Sequence, residues 1–142
     1  MTVPAGKSED RHVGFKATET IKVTDKMVRQ FAELSGDYNP IHLDDDYAKS
    51  TRFKKRIAHG MILGALVSRL LTEKIGTGGI YLAQSLKFSN PVFIDDDITF
   101  EFEVTKMHKT RGLGIVETNA RNATGELVMK GEATIMMGWG VK

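Results

Sequence analysis

The spacing of apolar residues changes period several times along this chain, and each change marks an element. Phe15, Ala17, Ile21 and Val23 mostly alternate with polar residues, which predicts a first strand over 15–23 because neighbouring strand side chains face opposite sides. From Thr24 the spacing becomes helical. Met27, Val28, Phe31 and Leu34 recur every three or four residues, so a helix runs to Ser35 with Thr24 as its capping hydroxyl. Asp44 to Ser50 reads as a short helix with carboxylates in its first turn, where the helix dipole favours them. A longer helix is expected from Gly60 to about Lys74. Met61, Ile62, Leu63, Ala65, Leu66, Val67, Leu70 and Leu71 leave it almost no polar face, the pattern of a buried helix. The glycine turn Gly76 to Gly79 ends it.

Everything beyond reads as strand. Ile80 to Phe88 is followed by a turn at Asn90-Pro91. Ile98, Phe100, Phe102 and Val104 then alternate with Thr99, Glu101, Glu103 and Thr105, the clearest period of two in the chain. Gly114 to Asn122 and Leu127 to Met137 complete the set, with Leu127, Met129, Ala133, Ile135 and Met137 on one face. Strands with one wet face suit an antiparallel sheet. Such a sheet can bury its apolar face and the apolar helix together by curling around the helix. The leftover strand edges and apolar surface are then expected to meet a second copy. The expectation is an α+β fold and a homodimer.

At 142 residues the chain supports one core, so 1–142 is taken as a single domain with 1–12 a loose N-terminal arm. A formal net charge of +2 is too small to imply nucleic acid by itself. The absence of cysteine excludes thiol nucleophiles, disulfides and thiolate metal sites, and fits a reducing cytoplasm. The first residues mix both charge signs without an apolar run, unlike a secretory signal. The stretch Met61 to Leu71 is too short to cross a membrane. A soluble intracellular protein is expected.

The chemistry concentrates between Gly36 and Gly60. Asp37, Asn39 and His42 fall within six residues around Pro40, which denies them a shared regular helix. They are expected on an irregular loop where polar side chains converge. Singly, each has a structural explanation: Asp37 and Asn39-Pro40 as turn formers, His42 as a satisfied core histidine. Together, ahead of an apolar helix opening with Gly60, they point to a site. Gly60 offers a backbone N–H with no intrahelical partner at the positive end of a helix dipole. His59 reads either as a substrate contact or as a structural helix-entry residue. Ser68 more often bonds a carbonyl one turn back. Arg52, Lys54, Lys55 and Arg56 either hold phosphates or form a solvated run. Asp44, Asp45 and Asp46 make a helix N-terminal acidic turn, and no histidine spacing supports a metal there.

The segments GDYNPIHLD at 36–44, IAHGM at 57–61 and LKFSNPVFIDDD at 86–97 resemble the hydratase 2 or MaoC-like branch of the hot-dog fold, above all its small (R)-specific enoyl-CoA hydratases. The resemblance spans about Phe15 to Met137. It implies a curved antiparallel sheet wrapped around a long central helix, and reversible syn hydration of trans-2-enoyl thioesters to (R)-3-hydroxyacyl thioesters. It also implies Asp37 and His42 as the catalytic dyad, Asn39 as support for the same loop, Gly60 as oxyanion-hole donor and a serine near the site at Ser68; Asn39, Ser68, His59 and Arg56 are taken as the candidate substrate-binding residues. Coenzyme A enters as part of the substrate, so no cofactor and no metal are expected. An acyl-carrier-protein dehydratase is the nearest alternative. A thioesterase is a poorer one, since Met61, Ile62 and Leu63 put no carboxylate in the first helical turn. A binding subunit without activity would not need the Asp37/His42 pair. Two features depart from the family pattern: Asp95-Asp96 stands where a Gly-Asp turn is usual, and the 52–56 run is unusually basic.

Overall fold

The computed structural model describes residues 12–108 and 110–136. Most of the expected 1–12 arm, and Met137, lie outside them. Alternation builds the sheet. Strand β1 (Lys16–Lys22) starts one residue later and ends one residue earlier than expected, and β3 (Asp97–His108) carries the alternation of Ile98, Phe100, Phe102 and Val104 as buried positions. With β2 (Ile80–Phe88), β4 (Leu113–Arg121) and β5 (Leu127–Met136) they form one five-stranded sheet in the order β1-β3-β4-β5-β2, each neighbouring pair antiparallel. One face turns inward through Phe100, Phe102, Val116, Ala120, Met129 and Ala133. Each large side chain buried there stabilises the fold by about 1.5–3 kcal/mol.

Helix α1 (Asp25–Ser35) opens with Thr24, whose hydroxyl accepts from the Met27 amide at 3.2 Å, and closes on Gly36 at φ 78°. Helix α4 (Gly60–Leu70) continues as a wider π-turn over Leu71–Ile75. Ile62, Leu63, Val67 and Leu70 of α4 join the sheet's core. Its entry is pinned to the loop after β2, where the Ala58 amide donates to the Val92 carbonyl at 2.7 Å and Ile57 bridges Phe93.

Two expectations change. Helix α4 is not buried all round: Met61 is 54% exposed, and Ala65 and Ser68 on the same face are exposed too. The sheet of one chain covers only one side of the helix. The 37–42 segment is also not all loop. Pro40–Leu43 forms a single helical turn, α2, followed by α3 (Asp45–Lys49) capped by Asp44. Pro40 starts α2 because a first-turn residue needs no amide hydrogen.

Candidate active site

Asn39 caps α2. Its side-chain oxygen accepts from the Ile41 amide at 3.3 Å, and its carbonyl accepts from the His42 amide at 3.0 Å. One residue pair earlier, the Asp37 carboxylate accepts from the Asn39 amide at 3.2 Å. These short-range bonds fix the order in which side chains leave the backbone. Asp37 and Asn39 stay exposed, while His42, only 9% exposed, points inward. Asn39 therefore acts on the loop's shape through its cap.

His42 has one fixed nitrogen. Its Nδ1–H donates to the Ile57 carbonyl at 2.7 Å, because a carbonyl can only accept. That leaves Nε2 as a lone pair. Burial pushes the His42 pKa below its ordinary value of 6.5; the Ile57 bond and Asp37 oppose this, while His59 and Arg56 add to it. His42 is thus held neutral, as a proton acceptor must be.

His59, the residue before α4, is 3% exposed. Its Nε2–H donates to the Asp37 backbone carbonyl at 3.0 Å, its ring lies against His42 with centroids 3.9 Å apart, and Phe31 packs on it at 4.9 Å. Its Nδ1 is buried with no hydrogen-bond partner among the described residues. This is the structural helix-entry role: His59 ties the Asp37 backbone to the start of α4 and backs the His42 ring.

One metal-capable atom from each of Asp37, His42 and His59 lies within 4.8 Å of the others. The two imidazoles are stacked with ring centroids 3.9 Å and planes 30° apart, a face-to-face arrangement unlike the edge-on approach by which imidazoles bind one ion through their in-plane lone pairs. A carboxylate oxygen and an imidazole nitrogen within 4.8 Å of one another can share a water that bonds to both at ordinary hydrogen-bond lengths.

Beside His42 opens a cavity of about 280 Å³, lined mostly by apolar groups: Phe53, Ile57, Ala58, Leu63, Phe88, Pro91 and Val92, with Gly60 and Arg52. Gly60 is the first residue of α4, and a Cβ on it would lie 3.0 Å from the Phe88 ring. His42 and the α4 N-terminus therefore face one space. Ser68 sits eight residues further along α4, about 12 Å of helix rise from Gly60, on the exposed face. Arg56 is 8% exposed and bonded within the chain to Asp25 and the His42 carbonyl. The exposed members of the basic run are Arg52, Lys54 and Lys55. Phe53, Phe88 and Asp25 escaped the sequence reading, since nothing in their spacing marks them.

The sequence matches the MaoC like domain family over residues 7–126. The chain belongs to the MaoC-like family. Curated (R)-specific enoyl-CoA hydratases of Aeromonas caviae and Rhodospirillum rubrum are each 39% identical to it, covering 92% and 91% of this chain and 98% and 90% of theirs. The structure of the R-hydratase PhaJ1 from Pseudomonas aeruginosa, in its unliganded form, superposes with a TM-score of 0.85 at 42% identity over 89% of this chain and 81% of that one. The hot-dog architecture expected from the sequence is the fold of these MaoC-like relatives, and the chain is a hydro-lyase by family. No helix among the described residues is long and apolar enough to cross a membrane.

Proposed function

We propose that this protein is an (R)-specific enoyl-CoA hydratase in which Asp37 and His42 act on one water and Gly60 receives the thioester oxygen. The observation that carries this reading is the placement of the Asp37 carboxylate within 4.8 Å of a His42 ring nitrogen, with the α4 N-terminus on the cavity that His42 lines.

Hydration adds the water oxygen to C3 and a proton to C2. The water sits between Asp37 and His42, and the lone pair on His42 Nε2 takes a proton as the oxygen bonds to C3. Negative charge moves to the thioester oxygen, where the Gly60 N–H and the helix dipole stabilise it. The imidazolium, steadied by Asp37, returns the same proton to C2. Both additions come from the side of the dyad, hence syn. General acid–base chemistry of this kind is worth about 10²–10⁴-fold. These steps use the chain's own residues, so neither a metal nor a cofactor is part of the reading.

The homodimer belongs to the same reading. Strand β2 is a sheet edge carrying exposed Ile80, Tyr81, Leu82 and Phe88, and helix α4 beside it exposes Met61. An open apolar edge is a template for strand pairing, and a second copy would cover both surfaces. Arg52, which lines the cavity, and the exposed Lys54 and Lys55 of the same run favour the phosphates of coenzyme A as carrier. The same reading assigns the reaction to fatty acid metabolism in the cytoplasm, a reducing compartment that a cysteine-free chain suits.

The test is incubation with crotonyl-CoA, following loss of the enoyl absorbance and the configuration of the product. Formation of (R)-3-hydroxybutyryl-CoA is expected, and folded Asp37→Asn and His42→Gln variants should each lose at least about 10²-fold in turnover. Inactivity on short and medium enoyl thioesters of both coenzyme A and carrier protein would sink the proposal. Release of free thiol from saturated acyl thioesters would replace it with a thioesterase.

A further inference from the structure

A helix of one turn has almost no stability of its own, so something else must hold α2 where His42 can work. Residues 56 and 57 do so with three hydrogen bonds. The Ile57 amide donates to the Ile41 carbonyl at 3.3 Å, His42 Nδ1 donates to the Ile57 carbonyl at 2.7 Å, and Arg56 Nε donates to the His42 carbonyl at 2.8 Å. Only the last of these comes from a side chain that also reaches a third element. Another nitrogen of the Arg56 guanidinium pairs with an Asp25 carboxylate oxygen at the first residue of α1, and the second Asp25 oxygen takes Arg29 Nε at 3.0 Å.

Arg56 is 8% exposed, whereas Arg52, Lys54 and Lys55 of the same run are exposed. A guanidinium is brought this far inside only when its charge and its donors are answered. Here they are answered by a carboxylate of α1 and by the backbone of the residue proposed to activate water. We infer that Arg56, anchored by Asp25, is a positioning residue for His42: a charged clamp that fixes the α2 turn against α1 and thereby the angle at which the imidazole meets the cavity. The inference rests on the assignment of His42 to the reaction.

The clamp reaches the chemistry by two routes. It fixes geometry, and a misplacement of about 1 Å in a reacting group costs about 10²-fold in rate. It also adds a positive charge near His42. The charged and titratable groups that act on His42 are Asp37 before α2, His59 at the entry to α4 and Arg56, while Arg52 lines the same cavity. Of these, Arg56 and His59 oppose protonation of the imidazole and Asp37 favours it. Removing Arg56 takes away a like charge, which lets His42 hold its proton to higher pH, and it loosens the turn that aims the imidazole.

The experiment follows the His42 ring by NMR titration and splits kcat from KM in the full-length protein, using Arg56→Met, Asp25→Ala and the double variant. Arg56→Met should titrate His42 at higher pH than wild type and lose about 10–10²-fold in kcat with KM within about threefold. Asp25→Ala should lose less, and Asp25→Asn, which keeps an acceptor for Arg56, should recover part of that loss. The double variant should be no worse than Arg56→Met, because residues acting as one unit are not additive. A merely structural ion pair would lower the melting temperature while leaving kcat and the titration where they were, and that result overturns the proposal. So does an additive double variant. If Arg56→Met fails to fold, an unmoved titration and wild-type kcat in folded Asp25→Ala are equally fatal. The titration needs no substrate, so an inactive wild type would refute the hydratase reading while the clamp is still decided by the shift.

Discussion

Replacing Gly60 by alanine separates the chemistry of the α4 N-terminus from its structural role. A Cβ at this position lies 3.0 Å from Cδ2, Cε2 and Cζ of Phe88, short of the roughly 3.5–4.0 Å at which carbon atoms pack best. The ring must yield by about half an ångström. It can, because Phe88 is 45% exposed at the edge of the cavity. The cost is offset by the better helix propensity of alanine, up to about 1 kcal/mol, so net stability should move by less than about 1 kcal/mol. The effect on catalysis is of a different size. The methyl group stands between Gly60 and Phe88, both of which line the cavity, and keeps the thioester oxygen from the amide. Loss of one oxyanion donor costs about 10²–10³-fold, or ~2.7–4 kcal/mol. The assay is kcat/KM on crotonyl-CoA beside a thermal melt. A folded variant within about threefold of wild type would refute the reasoning that the thioester oxygen reaches the Gly60 amide past the place of the added methyl. Adding Phe88→Leu gives the methyl room. Recovery of rate in that double variant would show that the displaced ring, and not the blocked amide, had caused the loss.

Other expectations follow from the same geometry. Burial holds the His42 pKa below 6.5, and the proposed mechanism uses the neutral ring as proton acceptor. The acid limb of kcat/KM should therefore lie below pH 6.5, and an acid limb centred above it would contradict the assignment. The stability sign agrees: below 6.5 the unfolded chain takes up a proton that folded His42 resists, so this residue costs stability as pH falls and nothing as pH rises. Asp95 sits at φ 71° while its amide donates to the Val23 carbonyl at 2.7 Å. Asp95→Gly should relieve the left-handed strain and raise stability by about 0.5–1 kcal/mol, seen as a higher melting temperature; a lower one would mean that the aspartate side chain contributes more than its backbone costs. Leu82, 48% exposed at the irregular point of edge strand β2, should belong to the dimer contact. Leu82→Glu should halve the mass measured by light scattering, and an unchanged dimer would move the interface elsewhere.

What could be read from the sequence divides along the range of the interactions involved. The β3 alternation and the Thr24 cap were legible because each is decided within a few residues: a pleat repeats every two positions, and a capping hydroxyl reaches an amide three residues on. At Pro40 the local signal points two ways. Proline keeps Asp37 and Asn39 out of a helix shared with His42, yet Asn39-Pro40 is also a good helix start, with a cap residue followed by one that needs no N–H. The exposed face of α4 was not legible at all, since an apolar helix looks the same in sequence whether its own sheet or another chain covers it. Arg56 is the most instructive case. Within Arg52–Arg56 it is one of four cations, and a solvated run is the ordinary reading. Its partner Asp25 lies 31 residues earlier, where it reads only as a good first-turn residue. Nothing local distinguishes the buried cation from its exposed neighbours. The difference arises when α1, the α2 turn and the entry to α4 meet, and that meeting also brings His42 beside His59 and Asp37. The residues that do the chemistry announce themselves by type and spacing. Those that hold them in place become visible only when distant segments are brought together.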